Sequence, residues 1–77
     1  MKIQIRLTAH LKRYSTSRQE AFEWNLETGA TTADVVKRLG ITPDIEYALV
    51  RNGRRVDSET ALNEGDQLIF LAPITGG

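Results

Sequence analysis

The chain has 77 residues, with ten basic and ten acidic side chains, so its formal net charge at pH 7 is zero. A chain of this length forms one small domain, and the balanced charge argues against a general binder of nucleic acid or of anionic membranes. The absence of cysteine excludes a disulfide framework, a thiolate nucleophile and a sulfur-ligated zinc site. No apolar run approaches the roughly 20 residues of a membrane span, and the alternating N-terminus is unlike a signal peptide. The sequence therefore predicts a soluble, cytoplasmic protein.

The first third of the chain predicts two strands. Polar and apolar residues alternate over residues 2–7, which is the pattern of a strand with one solvated face. Residues 8–20 predict a wide loop with some helical order, because Leu11 and Tyr14 lie three positions apart. Alternation resumes over residues 21–27, where aromatic side chains favour a second strand, antiparallel to the first.

Residues 31–40 predict a helix of about two turns. Thr31 and Asp34 form a capping-box pattern, with aspartate in place of glutamate, and the acid also favours the positive end of the helix dipole. Gly40 is suited to the left-handed conformation that ends a helix. An apolar stripe at helical spacing consists of Val35, Val36 and Leu39. A helix this short is marginal alone, so it must pack on the sheet.

The second half of the chain predicts a hairpin and a final strand. Asn52-Gly53 separates two strand-like runs, 47–51 and 54–56, and both residues tolerate the positive φ of a two-residue turn. Residues 68–72 form a continuously apolar run after a turn-forming cluster, which predicts a strand in the middle of the sheet. Pro73 cannot donate to a ladder and ends that strand.

The last strand predicts an exposed apolar pair. One helix covers only one face of a sheet. If Leu68 and Phe70 face the helix, Ile69 and Leu71 face outward with nothing in this short chain to cover them. An apolar patch of that kind predicts a partner site, whereas the alternative is that long arginine stems screen it.

The chain continues past Pro73 as Ile74-Thr75-Gly76-Gly77. Two glycines have no side chain to pack and lose more freedom on ordering than other residues, so they end a fold poorly. They are well suited to threading a narrow cleft. The alternative is an ordinary frayed chain end.

The order of elements, the Leu-Asn-Glu-Gly-Asp sequence at 62–66 and the Pro-Ile-Thr-Gly-Gly end resemble the ubiquitin-like β-grasp sulfur carriers. The resemblance is greatest to the small subunit of molybdopterin synthase, and next to the thiamine-pathway sulfur carrier. It implies an α+β fold, a mixed sheet of four or five strands with one short helix on one face. It also implies a single domain over residues 1–77, with a globular part at 1–72 and a flexible extended tail at 73–77. The short helix and Ala72, where the molybdopterin family often has a second proline, leave the pathway open.

The resemblance implies a carrier cycle at the carboxylate of Gly77, preceded by Gly76. A ubiquitin-activating-type enzyme would adenylate this carboxylate, sulfur would replace the AMP, and the resulting thiocarboxylate would serve molybdenum-cofactor synthesis. The partners are thus the adenylating enzyme and a large synthase subunit or other sulfur acceptor. ATP and metal belong to the activating partner, this chain binds no cofactor or metal, and catalysis is supplied by partners. The residues expected to contact partners are Ile69, Leu71, Pro73, Ile74 and Thr75.

Three alternatives remain open from the sequence. The chain could carry sulfur for the thiamine thiazole or another sulfur pathway. It could be a ubiquitin-like modifier conjugated to lysines through Gly77. It could also be a β-grasp adaptor with an inert tail.

Other candidate sites have simpler explanations. His10 is the single histidine and is expected in an exposed loop rather than at zinc. No glycine-rich phosphate-binding motif occurs. Trp24 is expected to pack in the core or at the sheet edge. Solvated turn roles are expected for the loop carboxylates Asp57, Glu59, Glu64 and Asp66. A charged hairpin edge that maintains solubility is expected from Arg51, Arg54 and Arg55.

Overall fold

The computed structural model describes residues 1–15 and 19–73. Five strands form one sheet in the order β2-β1-β5-β3-β4. The strands are β1 (Lys2–Leu7), β2 (Ala21–Asn25), β3 (Ala48–Arg51), β4 (Arg54–Val56) and β5 (Gln67–Leu71). Strands β1 and β5 are parallel, and the other neighbouring pairs are antiparallel. The final strand therefore occupies the centre of a mixed sheet, as its continuous apolar run predicted.

One face of the sheet packs against helix α1 (Thr32–Leu39) and forms the core. The register places Ile5 beside Leu68 and Leu7 beside Phe70, so the two central strands share one apolar layer. The helix adds Val35 and Leu39 to this layer. Burial of these side chains is the main stabilising contribution, because about 25 cal/mol is gained for each Å² of apolar surface removed from water.

The predicted helix limits are confirmed. Asp34 accepts a hydrogen bond from the Thr31 backbone N–H at 2.8 Å, which satisfies one of the free donors of the first turn. Gly40 has φ 80° and ψ 19°, the left-handed conformation that ends the helix. Thr32, which the sequence did not single out, is fully buried. Its hydroxyl donates to the Asp57 carbonyl at 2.9 Å and accepts from the Thr60 N–H at 3.2 Å.

The segments between strands are of the predicted types, but some of their limits differ from the prediction. Asn52 and Gly53 have φ of 50° and 84°, which confirms the two-residue turn between β3 and β4. Residues Ala9–Tyr14 form a 3-10 helix with Leu11 buried, so the loop after β1 contains more regular structure than one predicted turn. Strand β2 ends at Asn25, two residues before its predicted end.

Candidate functional site

Four apolar side chains lie next to each other on the sheet face opposite the helix. The register pairs Ala48 with Leu71 and Val50 with Ile69. We call these four residues the apolar strip. Leu71 is 41% exposed and Ile69 is half-buried, whereas their neighbours Leu68 and Phe70 are fully buried on the helix side. The outward orientation predicted for Ile69 and Leu71 is thus observed, and their role in binding a partner stays a prediction.

Sequence reasoning missed Ala48 and Val50 as members of this surface. Residues 47–51 form an almost uninterrupted apolar run, which does not show which side chains face outward. Only the register with β5 assigns Leu49 to the core and Val50 to the outer face. A single-strand pattern carries no information about that pairing.

An arginine lies at each side of the apolar strip. The register runs across four strands from Arg6 through Ile69 and Val50 to Arg55. Arg6 forms an ion pair with Glu20 at 3.1 Å. The alternative that arginine stems would screen the outward pair is wrong for Leu71, which remains exposed. Two positive charges therefore border an accessible apolar surface.

Thr8 fixes the backbone where β5 ends. Its hydroxyl donates to the Phe70 carbonyl at 2.9 Å and accepts from the Ala72 N–H at 3.1 Å. The Thr8 N–H also donates to the Phe70 carbonyl, at 3.2 Å. These bonds set the position and direction of the chain as it approaches the exposed Pro73. The predicted site residues Ile74, Thr75, Gly76 and Gly77 lie outside the described residues.

Replacing Thr8 by valine should lower the free energy of unfolding by about 1–2 kcal/mol. Valine has nearly the same shape, so it removes both hydroxyl hydrogen bonds and leaves the Ala72 N–H without its acceptor. Urea unfolding followed by circular dichroism measures the change. Thr28→Val is the matched control, because Thr28 is exposed. Equal stability of the Thr8 and Thr28 variants would contradict the role given to the Thr8 hydroxyl.

An open groove of about 800 Å³ lies beside the apolar strip and reaches the start of the tail. Its lining includes Ile45, Tyr47, Leu71 and Pro73. The Tyr47 ring packs on Phe70 with a centroid separation of 5.2 Å, and burial raises the pKa of the Tyr47 hydroxyl. The exposed Pro73 thus lies at a largely apolar groove that Leu71 of the apolar strip also lines.

Asp66 anchors the turn that leads into β5, and the prediction that it is solvated is wrong. Its carboxylate is buried and accepts from Arg51 Nε at 2.7 Å, from the Asn63 N–H at 2.7 Å and from Asn52 Nδ2 at 2.9 Å. Burial raises the pKa of Asp66, but the hydrogen bonds from Arg51, Asn63 and Asn52 and the charge of Arg51 outweigh it and lower the pKa overall. The prediction that Arg51 belongs to an exposed cluster is also wrong, because the register places it opposite the buried Leu68.

Two other loop carboxylates accept backbone hydrogen bonds. Asp57 accepts from the Glu59 N–H at 2.9 Å and from the Thr60 hydroxyl at 3.0 Å. Glu64 accepts from the Lys2 N–H at 3.0 Å. Neither carboxylate is paired with a second one for acid–base chemistry in these contacts.

The remaining candidates do not gather into a site. His10 is exposed on the 3-10 helix, and residues 1–15 and 19–73 contain no group of three His, Cys, Asp or Glu side chains that could hold a metal. Trp24 packs at the sheet edge against Phe22, with the Arg38 guanidinium 4.2 Å from its ring centroid. In the same part of the chain, no helix has the length and apolar character needed to cross a membrane.

Comparison with known proteins agrees with this geometry. SAMP1, the small archaeal modifier protein 1 of Haloferax volcanii, superposes with a TM-score of 0.80 at 21% identity, with all of both chains covered. A putative molybdopterin converting factor subunit 1 of Pyrococcus furiosus gives a TM-score of 0.79 at 17% identity, covering 95% of this chain and 98% of that one. The complex of subunits 1 and 2 of molybdopterin-converting factor from Helicobacter pylori contains a match with a TM-score of 0.65 at 21% identity, over all of both chains.

These structural likenesses confirm the predicted ubiquitin-like β-grasp fold. The family is established separately by sequence, since the ThiS family model matches residues 5–77, which is nearly the whole chain. The chain therefore belongs to the ThiS family and has a ubiquitin-like β-grasp fold.

Proposed function

We propose that this protein carries sulfur as a thiocarboxylate on Gly77 and delivers it in molybdenum-cofactor synthesis in the cytoplasm. Family membership and the fold likeness to molybdopterin converting factor subunit 1 support the proposal. The observation that carries it is the exposure of Leu71 two residues before Pro73, which puts an apolar docking surface directly beside the base of the tail.

The chemistry needs a partner enzyme. An α-carboxylate is ionised at neutral pH and is a poor acyl donor until it gains a better leaving group. In the proposed cycle a carboxylate oxygen attacks the α-phosphorus of ATP and pyrophosphate leaves. A sulfur nucleophile then attacks the carbonyl carbon of the acyl adenylate and AMP leaves. The nucleotide and its metal ion are held by the adenylating enzyme.

The contribution of this chain is docking and reach. The apolar strip would hold the globular part against the partner, since exposed apolar patches on small proteins commonly mark such contacts. Four residues follow Pro73 and span at most about 14 Å when extended. The terminal carboxylate could therefore enter a partner cleft while the sheet stays outside, with two glycines that present no side chain to the cleft walls.

A large synthase subunit is the proposed sulfur acceptor. The Helicobacter pylori structure with full-length similarity to this chain is a complex of subunits 1 and 2 of molybdopterin-converting factor. The thiamine thiazole pathway remains the alternative acceptor within the same chemistry. Mixing the thiocarboxylated chain with each candidate acceptor and following loss of its sulfur mass distinguishes them.

The direct test is mass spectrometry of the intact chain after incubation with its adenylating enzyme, ATP and a sulfur source. Exchange of one oxygen for sulfur should raise the mass by about 16 Da. A parallel reaction without ATP serves as the control. No mass gain under conditions where a known carrier reacts with the same enzyme would remove the proposal.

Replacing Leu71 by aspartate should reduce kcat/KM of this activation about tenfold, because a charge in the apolar strip opposes docking of a desolvated partner surface. The side chain is largely exposed, so the thermal unfolding midpoint should change little. Asn25→Asp is the matched control, since Asn25 is exposed on the edge strand β2 and β1 separates it from the apolar strip. Equal kcat/KM for the two variants would exclude Leu71 from the docking surface.

The fold likeness to SAMP1 favours a second candidate, conjugation of Gly77 to lysine side chains of other proteins. Residues 56–77 contain no lysine or arginine, so trypsin would leave this whole segment on each target. A Thr75→Arg variant would instead leave a Gly-Gly remnant that is easily detected. Absence of the 56–77 remnant in cells expressing the wild type, and of the Gly-Gly remnant in cells expressing Thr75→Arg, would count against a modifier role.

A further inference from the structure

The outer face of the sheet contains charge as well as apolar area, and the two are arranged in one row. Arg6, Ile69, Val50 and Arg55 are aligned across β1, β5, β3 and β4. Adjacent strands lie about 4.8 Å apart, so the two arginine backbones are separated by about 14 Å. The apolar pair is therefore bracketed by two cations at a fixed spacing.

Each arginine also lines a hollow beside the apolar strip. Arg6 lines a small depression of about 180 Å³ with Ile69. Arg55 lines the larger groove that contains Leu71 and Pro73. A partner side chain that enters either hollow would meet a guanidinium group as well as apolar surface.

The two arginines differ in their present partners. Arg6 is paired with Glu20, and both side chains are about half-exposed, at 55% and 44%. Arg55 is exposed, and its guanidinium forms no ion pair within residues 1–15 and 19–73. Arg54 lies on the other face of the sheet, because it is paired with Arg51 and not with Val50. Of the two arginines in this row, Arg55 is thus the one without an ion-pair partner among the described residues.

We propose that the docking partner presents an apolar centre with a carboxylate at the side of Arg55, and that Arg55 is the main determinant of its selection. This inference rests on the proposed function, because the docked partner is the enzyme that activates Gly77. Carboxylates match the planar, bidentate geometry of guanidinium. A charge at the rim of an interface acts chiefly on association and on exclusion of wrong partners, so its removal affects binding more than chemistry.

The test measures activation kinetics of Arg55→Glu by the adenylating enzyme with ATP, across a series of NaCl concentrations. We expect kcat/KM to fall about tenfold at low salt with kcat unchanged, and the difference from wild type to shrink as salt rises. Arg55→Lys should have an intermediate kcat/KM, because it keeps the charge but loses the bidentate geometry. Arg54→Glu is the matched control, with the same charge change on the same strand and the opposite face.

The outcomes separate this inference from the function on which it rests. If wild type gains sulfur mass but Arg55→Glu and Arg54→Glu have equal kcat/KM, the inference is wrong and the proposed function stands. If wild type gains no mass, both are removed. If the chain alone sediments as a dimer that Arg55→Glu dissociates, the face binds a second copy and the acidic partner is excluded.

Discussion

A chain that ends at Thr75 should fold as the full chain does and should gain no sulfur mass when incubated with the adenylating enzyme, ATP and a sulfur source. Loss of two residues shortens the reach of the carboxylate by about 7 Å. The carboxylate oxygen could then no longer come within contact distance of the α-phosphorus of ATP, as the reaction requires. Thermal unfolding should be unchanged, because the described hydrogen bonds extend only as far as Ala72. Intact-mass spectrometry and a melting curve measure the two effects.

A variant with alanine at both 76 and 77 is the matched control for length. This variant keeps the length of the tail and adds two methyl groups. If the partner cleft requires close passage of the backbone, the methyl groups should reduce activation without abolishing it. Full activation of the chain that ends at Thr75 would contradict a role for the glycines. A cellular phenotype that survives deletion of both glycines would instead support the adaptor with an inert tail.

Replacing Asp66 by asparagine should lower the free energy of unfolding by about 2–4 kcal/mol, a large share of the roughly 5 kcal/mol expected of so small a domain. The amide replaces one carboxylate oxygen by an NH2 group, so it loses either the bond from Asn52 or the bonds from Arg51 and the Asn63 N–H. It also leaves the Arg51 charge without its partner. Urea denaturation at pH 7 measures the loss. Glu59→Gln is the control, an exposed carboxylate changed in the same way.

The same variant should change how stability depends on pH. The pKa of Asp66 is lowered in the folded state, so its contribution is fully present above the ordinary aspartate pKa of about 3.9. That contribution is lost as the pH falls through the lower folded-state value. Wild type should therefore lose stability in acid more steeply than Asp66→Asn. Parallel pH profiles for the two proteins would show that Asp66 is not held in its charged form.

Much of the fold follows from local pattern. Period-two alternation predicted β1 and β2, the capping residues predicted both ends of α1, and Asn52-Gly53 predicted the hairpin. At the helix ends and in the hairpin, one backbone requirement, such as positive φ or a free N–H, is met by few residue types. These signals act within a few residues, so the sequence contains them without any knowledge of the fold.

The missed features all depend on contacts between distant segments. Thr8 binds Phe70 and Ala72, Thr32 binds Asp57, and Arg51 binds Asp66, yet a lone threonine or arginine has many solvated roles. The apolar strip was half predicted. A continuously apolar β5 must expose one of its faces when a single helix covers the sheet, whereas only the register with β5 shows which side chains of β3 face outward. The prediction for the charged hairpin was wrong for Arg51, because only the register of β3 with β4 and β5 shows which arginine faces inward.

The central position of β5 has a consequence for how the protein is made. Its parallel partner is β1, so pairs such as Gln4 with Gln67 join the two ends of the chain. Pairing over such long sequence separations is slow, and it must wait until the last strand has been synthesised. Until then the two halves, one with β1, β2 and α1 and one with β3 and β4, share no sheet. A product of interrupted translation that lacks β5 would therefore lack the organised sheet, so formation of the sheet is coupled to synthesis of its central strand.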